Sequence, residues 1–403
     1  MTVRVNKDSF NLREKLSELE RPIGLKGSEL MGAETAQEAR DLVSAGRRNL
    51  IYNGAMNVSQ RGTITSGITQ TGIIVDRFKL NISIGTWTIE QHASGPAGFS
   101  NSFKMTCTSG TASPSSNGAA FITQTLEAQD LQSLKYGSAS ARDMTISFWV
   151  QSNKTGDATF TMLQNDNSNK LFNSKYTINN ANTWEYKTIT IPGDAGGLFN
   201  DDNGEGLQIE WWLDGGSTYL GGDETNWRAF DNTYRNPNNL QLGRTDDDYF
   251  SITGVQLEVG KNATDFEHRS YGEELALCQR YYQSTNRLQA SSIPLGQYGD
   301  TAYAGWQYAS NAGSLRIRFP VEMRVGPTAT VVGSVSASPG ADGTIGAYGT
   351  GGWMTLSSIS VTGATPLSIR VNTGGMSGAG KDAFGLYFYG TYLTSTIKLD
   401  AEF

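Results

Sequence analysis

Apolar and polar residues alternate with a period of two along most of the chain after residue 48. The runs 146–151, 187–191 and 209–213 show it most clearly, and this period places successive side chains on opposite faces of a β-strand. Turn clusters rich in Asn, Asp and Gly separate the runs, as at 165–167 and 201–204. The pattern predicts roughly eight to ten strands between 49 and 266, arranged as an antiparallel sandwich and not as βαβ units.

Two features interrupt the alternation. The apolar positions of 250–259 change parity at Gly254, which predicts a β-bulge there. Leu275, Cys278 and Tyr282 then recur at helical spacing, which predicts one helix of three to four turns from Tyr271 to Ser284 with Cys278 as a small buried hydrophobe. Alternation returns after residue 286 and predicts a second, smaller sandwich.

The first 48 residues have a different pattern. They hold 17 of the 71 charged residues, and two possible capping boxes begin short amphipathic helices at Asn11 and Thr35. The apolar stripes of these helices are Leu12, Leu16 and Leu19 in the first, and Leu42 and Val43 in the second. Helices this short need a docking surface, so the segment is predicted to be an attachment arm, with a frayed terminus as the alternative.

Composition narrows the class. The chain has 47 Gly, 10% aromatic and only 18% charged residues, which excludes a long helical bundle and favours an all-β protein. Its net charge of −7 disfavours nucleic-acid binding. No apolar run approaches the roughly 18 residues of a membrane-spanning helix, and the charged first twenty residues predict no signal peptide. Two cysteines 171 positions apart exclude a disulfide scaffold and indicate synthesis in a reducing cytoplasm.

Catalytic chemistry has little support in the pattern. Carboxylates that a glycoside hydrolase could pair lie in Gly- or Asn-rich stretches and are predicted to be solvated turn residues: Asp201, Asp202, Glu205, Asp223, Glu224, Asp246, Asp247 and Asp248. The two histidines, His92 and His268, are expected at the surface or an interface. No catalytic residue and no metal ligand is assigned, although one structural calcium ion remains an open alternative.

Aromatic residues are the remaining binding candidates, because sugar rings stack on Trp and Tyr faces. Trp149 and Trp212 occupy positions that alternate with the apolar, core-facing ones in their strands. Trp227 and Tyr234 lie in a long loop rich in Asn and Asp. These four residues are the predicted glycan platform. Core or subunit-interface packing is the alternative for each of them.

Several ordered motifs resemble a family of phage and prophage virion structural proteins of the tail-fibre, collar or appendage type. The motifs are 47–54, Ser59 to Gly62, Asp76 to Phe78, 255–267 and 273–282, with 324–328 similar to the family's C-terminal signature. The stretch 145–191 also resembles a carbohydrate-binding jelly roll. The family has no agreed catalytic residues, so the resemblance implies no active site. The motif residues are expected to have structural roles, among them an ion pair between Asp76 and Arg77 at a strand end.

Together these observations predict an all-β chain with two antiparallel jelly-roll-like sandwiches. The predicted parts are a helical arm (1–48), a first sandwich (49–270), a connecting helix (271–285) and a C-terminal sandwich (286–403). The expected function is a virion structural component, made in the host cytoplasm, that contacts other virion proteins and forms a homo-oligomer, most simply a trimer near three times 43.6 kDa. The alternatives are a glycan-binding host-recognition module and, more distantly, a polysaccharide-degrading enzyme.

Overall fold

A computed structural model describes residues 48–166, 169–222, 225–285, 303–336, 343–349, 352–376, 383–389 and 396–403. The predicted arm helices, with Leu12, Leu16, Leu19, Leu42 and Val43, lie outside the described residues. Within the described part the chain is mostly β, so the predicted all-β class with antiparallel sandwiches is confirmed.

The first sandwich consists of two antiparallel sheets. Sheet I contains, in spatial order, β1 (Ile64–Ile68), β4 (Thr86–His92), β5 (Ser102–Ser109), β13 (Tyr249–Val259), β7 (Met144–Ser152) and β10 (Glu185–Ile191). Sheet II contains β12 (Arg228–Ala229), β9 (Lys170–Ile178), β8 (Gly156–Gln164), β11 (Glu205–Gly215), β6 (Ala119–Glu127), β3 (Lys79–Ile82) and β2 (Gly72–Ile73). Short 3₁₀ turns lie at Ala128–Leu134, Ser217–Tyr219 and Asn232–Tyr234.

The core lies between the inner faces of sheets I and II. Phe148 of β7 and Phe160 of β8 pack edge-on against Trp211 of β11, with ring centroids 5.9 and 5.8 Å apart. All three side chains are fully buried. Aromatic side chains of this size bury about 150–250 Å² each, so the alternation seen in the sequence supplies one continuous apolar layer between the two sheets.

The predicted bulge is present in β13. The pairing of β13 with β7 shifts register between Thr253 and Gln256, and Gly254 has a φ of 60°. A Cβ there would lie 2.8 Å from the Phe99 ring and 2.9 Å from the Trp149 ring. Glycine is therefore required both by the left-handed backbone and by the close approach of two aromatic side chains.

The helix between the sandwiches is shorter than predicted. α1 (Tyr271–Gln279) begins with a capping box between Ser270 and Glu273. The chain then forms β14 (Tyr282–Ser284), because these residues pair with the last strand, with Tyr282 opposite Asp400. Cys278 is fully buried, as expected for a small hydrophobe, and its burial raises the pKa of the thiol well above the usual value.

The second sandwich also has two sheets. Sheet III contains β14, β24 (Thr396–Asp400) and β17 (Thr328–Val332). Sheet IV contains β18 (Ser334–Val335), β19 (Thr344–Gly349), β23 (Ala383–Tyr389), β15 (Tyr303–Ala309), β16 (Ala312–Arg318), β22 (Ser368–Gly374) and β21 (Ser358–Thr365), with β20 (Gly352–Met354) paired to β19. Its core includes Leu315, Ile317, Ile369, Val371 and Ile397.

The motif residues singled out in the sequence meet where the two sandwiches join. Asp76 is fully buried, accepts a hydrogen bond from the Gln60 side chain at 2.5 Å and lies 3.3 Å from the Arg61 guanidinium. Burial raises the pKa of Asp76 to about 6, although Arg61 and Gln60 favour its charged form. Arg77 pairs with Glu402, so the Asp76–Arg77 ion pair considered from the sequence is not formed.

Residues from α1 onward complete this joint. The Arg280 guanidinium makes two 2.6 Å hydrogen bonds to the buried Glu127 of β6, and the Tyr281 hydroxyl donates a third. Burial opposes ionisation of Glu127, but these bonds outweigh it and lower its pKa. Arg324 donates to the Asn203 carbonyl at 3.1 Å and to the Ala401 carbonyl at 2.9 Å. The motifs thus build the connection between the sandwiches, a structural role.

Candidate glycan-contacting surface

The four aromatic residues predicted from the sequence do not form one platform. Trp149 belongs to β7 of sheet I, and Trp212 belongs to β11 of sheet II. Each points away from the core shared by the two sheets, so they lie on opposite outer faces of the first sandwich. Tyr234 lies on the side of Trp212, whereas Trp227 packs against the edge of the core.

Trp212 is fully buried although it faces outward from its sheet. Its ring stacks on Phe121 with centroids 4.6 Å apart, and Tyr219 lies 5.1 Å away. Its indole Nε1 donates a 2.8 Å hydrogen bond to Glu210. Both the apolar face and the polar edge of this side chain are occupied by the protein itself, so no sugar ring can stack on it in this structure.

The covering segment, residues 231–239, crosses the outer face of sheet II. Its Arg235 pairs with the fully buried Glu210 and lies 5.2 Å from the Trp212 ring centroid. The hydroxyl of Thr161 donates to the Arg235 carbonyl at 2.7 Å, and that of Thr159 donates to the Asn238 carbonyl at 3.0 Å. The polar groups of this face are therefore satisfied by the segment that covers them.

Trp227 and Tyr234 have local structural partners. The Trp227 indole donates to the Pro192 carbonyl at 2.7 Å, and its ring packs 5.7 Å from Phe172. Tyr234 lies in a 3₁₀ turn of the covering segment, with the Arg228 guanidinium 4.4 Å from its ring centroid. Both side chains are half-buried and hold the loop against sheet II.

Trp149 is the candidate that lies beside an exposed aromatic neighbour. It is half-buried on the outer face of sheet I, and its ring lies 5.3 Å from that of Tyr186, which is 44% exposed. The two residues are directly opposite each other on β7 and β10. Aromatic side chains at opposed cross-strand positions support each other's orientation, so this pair presents an apolar surface to solvent, with the two rings tilted by 48° to each other.

Three more rings extend this surface beyond the bulge. Phe99 lies beside the Gly254 position that Trp149 also approaches, and it packs 5.0 Å from Phe266. The exposed His268 lies 4.8 Å from Phe266, in agreement with the expected surface position of this histidine. We call Tyr186, Trp149, Phe99, Phe266 and His268 the aromatic strip.

Polar side chains flank the aromatic strip on the same face of sheet I. Lys104 lies 3.6 Å from Glu90 and 5.4 Å from the Tyr249 ring centroid. The Tyr249 hydroxyl donates to the Asn182 side chain at 2.8 Å, and Gln151 donates to the Asn182 carbonyl at 2.9 Å. Apolar ring faces beside amide, carboxylate and ammonium groups form the combination that a sugar needs for its C–H face and its hydroxyls.

One carboxylate orders the turn next to Tyr186. Glu185 accepts hydrogen bonds from the backbone N–H groups of Asn179 and Asn180 at 2.9 and 2.7 Å, and from Lys187 at 2.6 Å. Burial opposes its ionisation, but Lys187 and the two asparagines outweigh this effect and lower the pKa of Glu185 to about 2. The turn that carries Asn182 is thus fixed to the end of β10.

Tyr186, Phe99 and Phe266 were not predicted as site residues. Tyr186 carries a usable signal, because the inward parity of β10 belongs to Ile189 and Ile191 and leaves Tyr186 on the opposite face. Phe99 and Phe266 carry none, since they lie outside the strands and reach the strip only through the fold.

Many buried carboxylates of the described residues are held in ion pairs, whereas Asp201, Asp202, Asp246 and Asp247 are exposed in turns as predicted. Asp248, predicted to be a solvated turn residue, is only 3% exposed and lies 2.7 Å from Lys154. Other little-exposed pairs are Asp76–Arg61, Glu127–Arg280, Asp194–Lys170, Glu210–Arg235, Asp214–Arg244 and Glu274–Arg269. Across the described ranges there is no group of three or more His, Cys, Asp or Glu side chains placed to hold a metal ion.

Membrane insertion through a helix finds no support in the described part of the chain, where no helix has the length and apolar character needed to cross a bilayer.

Comparisons with known proteins give similarity at the level of solved structures only. No protein-family profile and no curated protein matches the chain. The enzymatically active domain of tailspike protein 4 from bacteriophage CBA120 is 15% identical over 52% of this chain and 21% of its own, with a TM-score of 0.28. This chain therefore spans about a fifth of that tailspike chain.

Two carbohydrate-binding structures are similar at the same level. The family 11 carbohydrate-binding module of Lic26A-Cel5E from Clostridium thermocellum is 12% identical over 56% of this chain and 100% of its own, with a TM-score of 0.26. The CBM22-1–CBM22-2 tandem domain of Paenibacillus barcinonensis Xyn10C is 10% identical over 89% of this chain and 99% of its own, with a TM-score of 0.27. Similarity at these TM-scores carries no argument about what this chain binds.

Proposed function

We propose that the protein is a non-catalytic structural component of a phage particle that contacts host-surface glycans through the aromatic strip of sheet I. The observation that carries the proposal is the open pair of Trp149 and Tyr186, flanked by hydrogen-bonding side chains on the same sheet face. Exposed aromatic faces with nearby polar groups suit sugar rings, which are apolar on their C–H faces and polar at their edges.

The virion part of the proposal is supported by the ordered motifs. In the structure these motifs build a joint between two β-sandwiches, in which Arg61 and Arg77 of the first sandwich pair with Glu402 and Arg280 pairs with the buried Glu127. A body of two joined sandwiches suits an appendage that must transmit a contact at one end to an attachment at the other. The proposal includes attachment through residues 1–48, assembly as a homotrimer and location in the virion.

Glycan contact is tested with the full chain on a printed array of bacterial surface polysaccharides. Retention of at least one polysaccharide is expected, and Trp149→Ala or Tyr186→Ala should weaken it by at least about tenfold, the equivalent of one good stacking contact. Leu220→Ala is the control, because Leu220 is an exposed apolar side chain (42%) that follows Tyr219, whose ring packs on Trp212 on the opposite sheet. No binding by the intact chain, or equal binding by all three variants, would reject the proposed site.

Virion location has its own test. Antibodies raised against the full chain should decorate particles released from the culture that produces it, and peptides of the chain should be recovered from purified particles. If the particles were neither decorated by the antibodies nor contained peptides of the chain, the virion role would be rejected and only glycan binding would remain.

A further inference from the structure

Sheet IV of the second sandwich has an open outer face of a different character. Trp306 and Tyr308 of β15 are 69% and 57% exposed, and they are two residues apart on one strand, so their side chains lie on the same face about 7 Å apart. Large aromatic side chains are rarely left this exposed without a partner.

Two arginines lie beside these rings. Arg316 of β16 and Arg370 of β22 are directly opposite each other, and both are exposed. Like charges at opposed cross-strand positions repel. The position across from Arg370 on β21 is Thr362, and neither arginine makes an ion pair with a carboxylate among the residues that the structure describes. The fold therefore maintains two adjacent positive charges that an anion would neutralise.

The rings and the arginines border one trough. Its volume is about 710 Å³, and its lining includes Trp306, Tyr308, Arg316, Arg370, Ser314 and Ala304, a size within the range of sites that hold small ligands. Ser314 lies opposite Trp306 on the neighbouring strand. Small side chains on the floor between large ones leave room for a flat ring to lie on the sheet.

We propose that this trough binds a carboxylated polysaccharide. A guanidinium forms paired hydrogen bonds with a carboxylate, so Arg316 and Arg370 would hold the acid group while Trp306 and Tyr308 stack on the sugar rings. The proposal places a second binding surface on the chain. It rests on the proposed function only for the choice of a saccharide as the ligand.

Two other anionic partners fit less well. An acidic peptide adding as a strand needs a free sheet edge, but β15, β16 and β22 are interior strands, each paired on both sides. A single-stranded nucleic acid needs a continuous track of cations along its backbone, and the net charge of the chain is −7. A short cluster of two arginines suits spaced carboxylates better than a phosphate at every residue.

The test uses the full chain, tryptophan fluorescence and affinity electrophoresis, with polygalacturonate, hyaluronan and polysialic acid as probes. At least one probe should bind, and binding should weaken as NaCl rises. The methyl ester of the same polymer should bind at least about tenfold more weakly, since esterification replaces the negative charge by a neutral methyl ester and leaves the sugar rings unchanged. Each of the variants Arg316→Gln, Arg370→Gln and Trp306→Ala should weaken binding of the acidic polysaccharide about tenfold or more.

Matched variants separate this surface from general electrostatics and from the aromatic strip. Arg318→Gln removes an exposed arginine about 7 Å along the same strand face that does not line the trough, so binding should change by less than about threefold, because only general electrostatic attraction is lost. Tyr186→Ala should leave binding of the acidic probes unchanged. Without ligand, Arg316→Gln should raise the melting temperature, because it relieves the repulsion from Arg370.

Each contrary result overturns the proposal. Equal binding of the acid and its ester would remove the role of charge, and binding of an oligodeoxythymidine in preference to all three polysaccharides would make the trough a nucleic-acid site. Failure of all three acidic probes, together with a concentration-dependent increase in mass that Trp306→Ala abolishes, would make this face a contact between copies of the chain. Failure of all three without such self-association would equally reject the site. None of these results would affect the test of Trp149 and Tyr186.

Discussion

The outer faces of sheets I and II carry the same sequence pattern but have opposite surroundings. Trp149 follows the inward Phe148, and Trp212 follows the inward Trp211, so alternation places both tryptophans outward. Trp149 is half-buried beside the exposed Tyr186, whereas Trp212 is fully buried under the covering segment. Strand alternation thus determines which face a side chain takes, and a distant loop determines whether that face meets solvent.

The difference has a physical basis in the polar residues of each face. Sheet II presents Glu210, Thr159 and Thr161, whose burial would be costly without partners. The covering segment supplies a guanidinium and carbonyl groups that satisfy all three. In the part of sheet I described by the structure, the comparable contacts lie along β13, where residues 264–267 are hydrogen-bonded to the outward side chains of Gln256 and Glu258, and Thr253 donates to the Asn101 carbonyl at 2.8 Å. The Trp149–Tyr186 end is left open.

The same substitution on the two faces should have very different costs. Trp212→Ala should destabilise the protein by about 4 kcal/mol, because it empties a packed site and removes the hydrogen bond to the buried Glu210. Trp149→Ala should cost less than about 2 kcal/mol, since part of that side chain already contacts water. Urea unfolding followed by far-UV circular dichroism measures both, and Trp212→Phe, which keeps most of the volume, is the control.

Binding should follow the opposite order to stability. Trp149→Ala is expected to lose glycan retention, whereas Trp212→Phe is expected to keep it. Equal losses of stability for the two alanine variants would make Trp149 a packing residue and remove the contrast between the faces.

Removing the guanidinium that the covering segment supplies should open the outer face of sheet II. Arg235→Ala leaves Glu210 buried without its ion-pair partner, and loss of one member of a buried pair costs about 3 kcal/mol or more. The covering segment should then detach, seen as faster proteolysis within 231–239 and as new quenching of Trp212 fluorescence by acrylamide. Arg235→Lys should be intermediate, because an ammonium keeps the charge but not the planar guanidinium contacts.

Arg318→Ala is the control for loss of an exposed arginine, and its stability should change by less than about 0.5 kcal/mol. If Arg235→Ala proved as stable as this control, the covering segment would be held by its backbone contacts alone, and the burial of Trp212 would need another cause.

Much of the strand content could be predicted from local sequence. Alternation located β7, β10, β11 and the bulge at Gly254, because these signals lie within a few residues of one another. The partner of Arg77 could not be found this way, since Glu402 lies 325 positions further along the chain. The adjacent charge of Asp76 suggested the wrong pair, and only the packing of the second sandwich on the first brings Glu402 to Arg77.

The candidate site shows the same limit. Trp149 could be selected because the residues next to it show which face of the strand it lies on. The burial of Trp212, in contrast, depends on Arg235, which lies 25 positions from its partner Glu210. Trp306 and Tyr308 occupy outward positions of β15. Assigning inward and outward positions along that stretch of the sequence would therefore have identified them. The cross-strand meeting of Arg316 and Arg370 requires the register of β16 with β22, which no local pattern specifies.

The smallest expected effect concerns the turn that borders the open face. The pKa of Glu185 is lowered to about 2, so the folded state holds its charge at acidities where the unfolded chain takes up a proton. Its contribution to stability is therefore present above the ordinary glutamate pKa, near 4.5, and is lost as the pH falls toward 2. At pH 6, Glu185→Gln should lower the melting temperature by about 2 °C, the scale of one or two modest polar contacts.

The pH dependence of that difference is the decisive part. The melting temperatures of the parent and of Glu185→Gln should converge as the pH is lowered from 5 to 2.5, as measured by differential scanning fluorimetry. Asp201→Asn is the control, because Asp201 is an exposed carboxylate in a turn outside the strands. A constant difference at all pH values would mean that Glu185 acts through its shape and not its charge. The ordering of the Asn182 turn beside Tyr186 would then have to come from the asparagines themselves.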